Sequence, residues 1–138
     1  MVDLVYRAHM TAVSPSAESI IRDVRQLFAR VGIPEQGKGP AGGYQIMARG
    51  DKARLLWWAE ASFDAQSGHR GVDHPDHPLV RVERATRSVM ERAMADVLYA
   101  AGFAVALVPG VPSRDVDKEK DPEVLVLASP EFKAWTSD

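Results

Sequence analysis

Apolar and polar residues recur along this chain in distinct periods, and each period predicts an element. The clearest stretch runs from Tyr44 to Phe63, where two apolar arms flank Gly50-Asp51. Gly at the first central position supplies the positive φ of a type II′ hairpin turn. Folding about that turn sets Arg49 opposite Lys52, Ala48 opposite Ala53, Ile46 opposite Leu55 and Tyr44 opposite Trp57. One face then carries Tyr44, Ile46, Ala48, Ala53, Leu55, Trp57, Ala59, Ala61 and Phe63, apolar throughout. The other carries Gln45, Met47, Arg49, Lys52, Arg54, Leu56, Trp58, Glu60 and Ser62. A one-residue slip would mix the faces, so the pattern selects its own register. Trp57 is assigned to the core and Trp58 to a mixed outer face.

Residues 2–12 also alternate, with Val2, Leu4, Tyr6, Ala8, Met10 and Ala12 against Asp3, Val5, Arg7, His9 and Thr11, and predict a half-buried strand. The dipeptide His9-Met10 also fits the end of an expression leader. Ser14-Pro15 opens a helix, with Ser as N-cap and Pro at the first helical position. Ala17, Ile20, Ile21, Val24, Leu27, Phe28 and Val31 follow helical spacing, and Gly32 and Pro34 stop it. Glu18, Arg22, Asp23, Arg25, Gln26 and Arg30 form its outer face. A second helix is predicted over about 80–101, with Val82, Val89, Met90, Ala93, Val97 and Ala101 inward and Gly102 at its end. Phe103 to Val108 is apolar without alternation, the signature of a strand covered on both faces. Val124 to Ala128 reads as a last strand, and Ser129-Pro130 opens a short helical turn that Trp135 pins down.

The resulting order is strand, helix, strand, strand, helix, strand, plus an extra C-terminal strand and the short turn. Its first six elements match a ferredoxin-like β-α-β-β-α-β pattern: an α+β fold with an antiparallel sheet and two helices on one face. Residues 2–12 would then lie centrally, beside the tryptophan strand. Without that first strand the chain reads as helix-hairpin-helix-hairpin, a different α+β arrangement.

Length and composition add bounds. A chain of 138 residues, 46% hydrophobic and 26% charged, is expected to form one domain spanning 1–138. A net charge of −2 gives no electrostatic case for wrapping a polyanion. Without cysteine there is no disulfide framework, thiolate nucleophile or zinc-thiolate site. No secretory leader or apolar run of about 20 residues is present, so a cytoplasmic protein that spans no membrane is expected. Arginine and alanine are abundant, as in high-GC genomes.

Chemistry-bearing residues are few. Gly32 to Gly39, G-I-P-E-Q-G-K-G, is one residue from a phosphate-binding P-loop, but Gly39 replaces the magnesium-binding Ser/Thr. It also follows a helix where a P-loop follows a strand, so it reads as a connecting loop. Arg49-Gly50-Asp51 is explained by the hairpin turn. The segment 64–78 holds His69, Asp73, His74, Asp76 and His77, ligand types that zinc, iron, nickel or manganese accept. Their spacing fits no metal motif. His74 and His77, each followed by a proline that stiffens the backbone or lying next to one, are the candidates for acid–base catalysis. No cofactor is expected. A second candidate is the outer sheet face, where Trp58, Arg54, Leu56 and Glu60 lie with Arg7 on the neighbouring strand. Arg81, Arg84, Arg87 and Arg92 alternate with Glu83 and Glu91 along the second helix, the composition of a solvated face with helical ion pairs. Residues 114–121, R-D-V-D-K-E-K-D, lack the spacing of a calcium loop.

These features favour a small binding or accessory protein, homodimeric through its open sheet face. The alternatives are a small enzyme of the dimeric α+β barrel kind using a loop histidine, and a weak nucleic-acid-binding module stacking bases on Trp58.

Overall fold

The computed structural model describes residues 13–37, 42–59, 78–112, 114, 118 and 120–136. They form α1 (Pro15–Val31), β1 (Gly43–Arg49), β2 (Lys52–Trp58), α2 (Pro78–Ala100), β3 (Ala104–Val108), β4 (Glu123–Ala128) and a 3₁₀ turn (Ala134–Thr136). The four strands make one antiparallel sheet in the order β1-β2-β4-β3. The architecture is α+β, and the described elements follow the helix-hairpin-helix-hairpin order. The place beside β2 that a ferredoxin-like order gives to residues 2–12 is held, at Ala53–Leu55, by β4. Residues 2–12, with Arg7, lie outside the described residues, as do Glu60 and residues 64–77 with all three loop histidines, whereas Pro78 opens α2.

The local rules act as expected in the first half. The Ser14 hydroxyl accepts from the Ala17 amide at 3.1 Å, satisfying one of α1's free donors, and Pro15 occupies the first turn. Gly32 ends α1 in a left-handed conformation at φ 87°, and the Ile33 amide reaches back to the Phe28 carbonyl. The hairpin adopts the anticipated register at every pair from Gly43↔Trp58 to Arg49↔Lys52, turning at Gly50 with φ 63°.

Tyr44, Ile46, Ala53, Leu55, Val124 and Val126 share one sheet face, and Ile20, Val24, Leu27 and Phe28 of α1 and Met94, Ala95 and Leu98 of α2 bury it. Both helices thus cover the same face. Phe28 meets Tyr44 edge-on at 4.8 Å, and Trp135 stacks on Phe103 at 5.3 Å, fastening the C-terminal turn to the core. Burial of the Tyr44 hydroxyl, reinforced by Glu35 and opposed by Arg25, pushes its pKa up to about 12.

Three assignments made from periodicity change. α2 buries Val80, Glu91, Met94, Ala95 and Leu98, while Val82, Val89 and Ala93 point to solvent. At 100° per residue these two stripes lie on opposite sides of one helix. The Met94–Leu98 stripe wins because its side chains are larger and remove more apolar area from water. Asp23 of α1 is buried and not on the outer face, its Oδ2 lying 3.1 Å from Lys133 Nζ, an ion pair too oblique for a hydrogen bond. Finally, β3 is an edge strand and not one covered on both faces.

Among the described residues no helix is long and apolar enough to cross a membrane.

Candidate functional site: a cleft between β2, α2 and the β3–β4 connection

On β2, alternation sends Arg54, Leu56 and Trp58 to the face opposite the core. Among the described residues β4 pairs with β2 only along Ala53–Leu55, so beyond Leu55 no described strand lies beside β2 on that side. Tyr44 directs its own amide and carbonyl outward, to Pro34 and Gln36. Its partner Trp57 therefore aims its amide away from β1, toward that gap. Glu91 of α2 fills it: Oε2 accepts from the Trp57 amide at 3.3 Å. A carboxylate takes the position a strand carbonyl would hold, because an unsatisfied buried N–H costs about 1–3 kcal/mol.

That contact lets the N-terminal half of α2 reach the outer face of β2. Arg87 places its guanidinium 5.1 Å from the centre of the Trp58 ring and donates to Glu83 Oε1 at 3.2 Å, one helical turn away. Trp58 Nε1–H donates to Gln45 Oε1 at 2.7 Å. Trp58 is thus half-buried by its own chain. The opposite wall comes from the connection between β3 and β4, pinched where Val111 and Lys120 exchange main-chain hydrogen bonds of 2.7 and 2.9 Å. A Cβ on Gly110 would stand 2.7 Å from the Lys120 carbonyl, so glycine permits this close approach.

The cleft between them is open to solvent and has a volume of about 640 Å³, within the range of small-molecule sites. Leu56, Val80, Pro112 and Pro122 give it apolar walls. Arg54, Arg84, Arg87 and Lys120 supply cations, and Glu83, Glu91 and Asp121 supply carboxylates. Glu91 is only 6% exposed. Burial raises its pKa above the usual value; the Trp57 amide, Arg87 and Arg54 act against that, and Asp121 reinforces it. Arg54 and Arg49 both approach Glu123 Oε1, at 3.6 and 3.3 Å. The first distance is too long for a hydrogen bond, and Arg54 Nε is a buried donor without a hydrogen-bond acceptor.

Of the residues anticipated for a site, Arg54 and Leu56 line this cleft, and Trp58 packs beneath Arg87 at its side. Arg7, Glu60, His69, Asp73, His74, Asp76 and His77 lie outside the described residues. Among the described residues no group of three His, Asp or Glu side chains is placed to hold a metal ion. Glu91 is the residue that pattern reading missed, because it was assigned to a solvated, ion-paired face. The available signal was its position: 91 falls on the same helical stripe as Val80, Met94 and Leu98. Glu83 and Arg87 do form the anticipated helical pair.

No known protein family matches the chain, and neither a curated protein nor a solved structure shows significant similarity to it.

Proposed function

We propose that this is a binding protein whose cleft takes a small organic ligand bearing an anionic group. The observation that carries the reading is Arg54 Nε, a buried donor left without an acceptor at a cleft that three more cations line. Such orphaned donors are uncommon in proteins, and a bound carboxylate or phosphate oxygen would satisfy this one. The apolar walls suit a ligand with a hydrocarbon or ring portion beside its charge. Arg84 and Lys120 are exposed, so replacing them tests binding without disturbing the core. Thermal-shift and calorimetric titration against aliphatic and aromatic carboxylates and phosphate monoesters should find a stabilising ligand. Its affinity should fall about tenfold or more in Arg84→Ala/Lys120→Ala. Equal affinity in that variant would refute the assignment.

A second reading is an enzyme that uses this cleft, supported by the raised pKa of Glu91, since perturbed carboxyls concentrate at catalytic centres. Turnover of a bound ligand that disappears in Glu91→Gln while binding persists would establish it. Base stacking on Trp58 finds less support, because Arg87 occupies one side of the ring and Gln45 its indole N–H.

A further inference from the structure

We propose that β3 is a docking edge for a second copy of this chain, the two β3 strands pairing antiparallel to extend the sheet across a two-fold axis. Ala104-Val105-Ala106-Leu107-Val108 contains no charged or polar side chain, yet it lies at the rim of the sheet. Natural edges are guarded by charges, prolines, bulges or a covering segment, since open N–H and C=O groups recruit other strands.

The opposite edge shows such a guard. There Tyr44 exchanges main-chain hydrogen bonds of 3.0 and 2.8 Å with Pro34 and Gln36, and β1 ends in Arg49. Among the described residues β3 bonds to β4 alone, and none bonds to its outer side. Its one irregularity lies at the start, between Ala104 and Val105, leaving Val105–Val108 regular.

The strand is suited to itself. Centred on Ala106, antiparallel self-pairing sets Ala104 opposite Val108 and Val105 opposite Leu107 of the second copy. Apolar side chains meet apolar ones and no like charges face each other. A two-fold axis normal to the sheet keeps the helices of both copies on one side, joining two four-stranded sheets into one. Leu107, Val108 and Val111 are 49%, 38% and 51% exposed. Their exposed parts amount to roughly 200 Å² per copy, against about 800 Å² per partner in a standard stable interface. Main-chain hydrogen bonds must supply much of the affinity, so the dimer is reversible and forms with rising concentration.

Sedimentation of the 138-residue chain from low micromolar to several hundred micromolar tests this. The expected result is a shift from monomer to dimer. Ala106→Lys and Ala106→Glu should each stay monomeric, because the axis brings two like charges together, and an equimolar mixture of the two should dimerise. A wild-type chain that remains monomeric throughout would overturn the proposal. So would an Ala106→Lys chain that associates as the wild type does. Should either variant fail to fold, amide exchange on the wild type decides. Protection of outward amides within Val105–Val108 that grows with concentration supports the edge, and its absence refutes it.

Discussion

Rotating α2 by half a turn would exchange its two apolar stripes, so a pair of alanine substitutions tests the fold at the point where periodicity was ambiguous. Leu98 is fully buried among the core residues contributed by both helices and the sheet. Truncating such a leucine removes its transfer free energy and leaves a cavity, a loss of about 3–4 kcal/mol. Val89 is 66% exposed, so Val89→Ala removes little burial and gains a few tenths of a kcal/mol (at most about 0.5) of helix propensity. The two changes should therefore differ in sign. Leu98→Ala is expected to lower the melting temperature by roughly 10–15 °C, and Val89→Ala to leave it level or slightly raised. Urea titrations followed by circular dichroism give both free energies, with slopes unchanged if the denatured state is unaffected. A Val89→Ala loss equal to or greater than that of Leu98→Ala would show that the other stripe faces the sheet. The placement of Glu91 and Arg87 would fall with it.

Three further outcomes follow from single contacts. Glu91's pKa is raised on folding from the usual 4.5, so the folded chain holds that proton more tightly than the unfolded one. Its contribution is then greatest below 4.5 and is lost as pH rises through the folded value; Glu91→Gln should flatten that slope in urea midpoints between acid and neutral pH, and an unchanged slope would remove Glu91 as its cause. Gly43→Ala puts a Cβ 2.6 Å from both Gln36 N and the Pro34 carbonyl, backbone atoms that must shift, and a thermal melt should report a loss of about 2 kcal/mol. Lys133→Met leaves buried Asp23 with only the exposed Arg22, 3.5 Å away, and should cost about 3 kcal/mol by denaturant titration. Adding Asp23→Asn should recover much of that, and failure to do so would mean that the pair is not coupled.

The hairpin and α1 were legible in the sequence because each rests on local chemistry. Gly50 at the turn and the period of two set one register, and Ser14, Pro15 and Gly32 mark a helix at both ends. What escaped depends on partners distant in sequence. A carboxylate on a core stripe has meaning only once β4 is known to stop short of Trp57, leaving an amide to be satisfied. Asp23 looked like a surface residue because Lys133 is far away along the chain. β3 has the composition of a covered strand, and nothing within its own sequence reports that it ends at the rim. Arg54, Leu56 and Trp58 were recognised as one face from alternation alone, whereas the helix that closes over them was not.

The same fold contains a reason for the cleft's position. Each half of the described chain is a helix followed by a hairpin, and the halves meet at the central pair β2 and β4. Both helices stop alike: Gly32 and Gly102 are left-handed, and the next residues, Ile33 and Phe103, return amides to Phe28 and Leu98. The halves diverge in two places. α1 has 17 residues and α2 has 23, and a two-residue turn in the first hairpin corresponds to the connection 109–122 in the second. The extra N-terminal length of α2 supplies Val80, Glu83 and Arg84, and the longer connection supplies Gly110, Pro112, Lys120, Asp121 and Pro122. Much of the cleft wall therefore comes from what the second half adds to a shared framework, with Arg87, Ser88 and Glu91 of the shared part of α2 completing it and β2 of the first half supplying the floor. Their convergence on Arg54, whose buried Nε has no hydrogen-bond acceptor, and on the buried carboxylate of Glu91 is why the cleft, rather than the bare sheet face, is the place to look for a ligand.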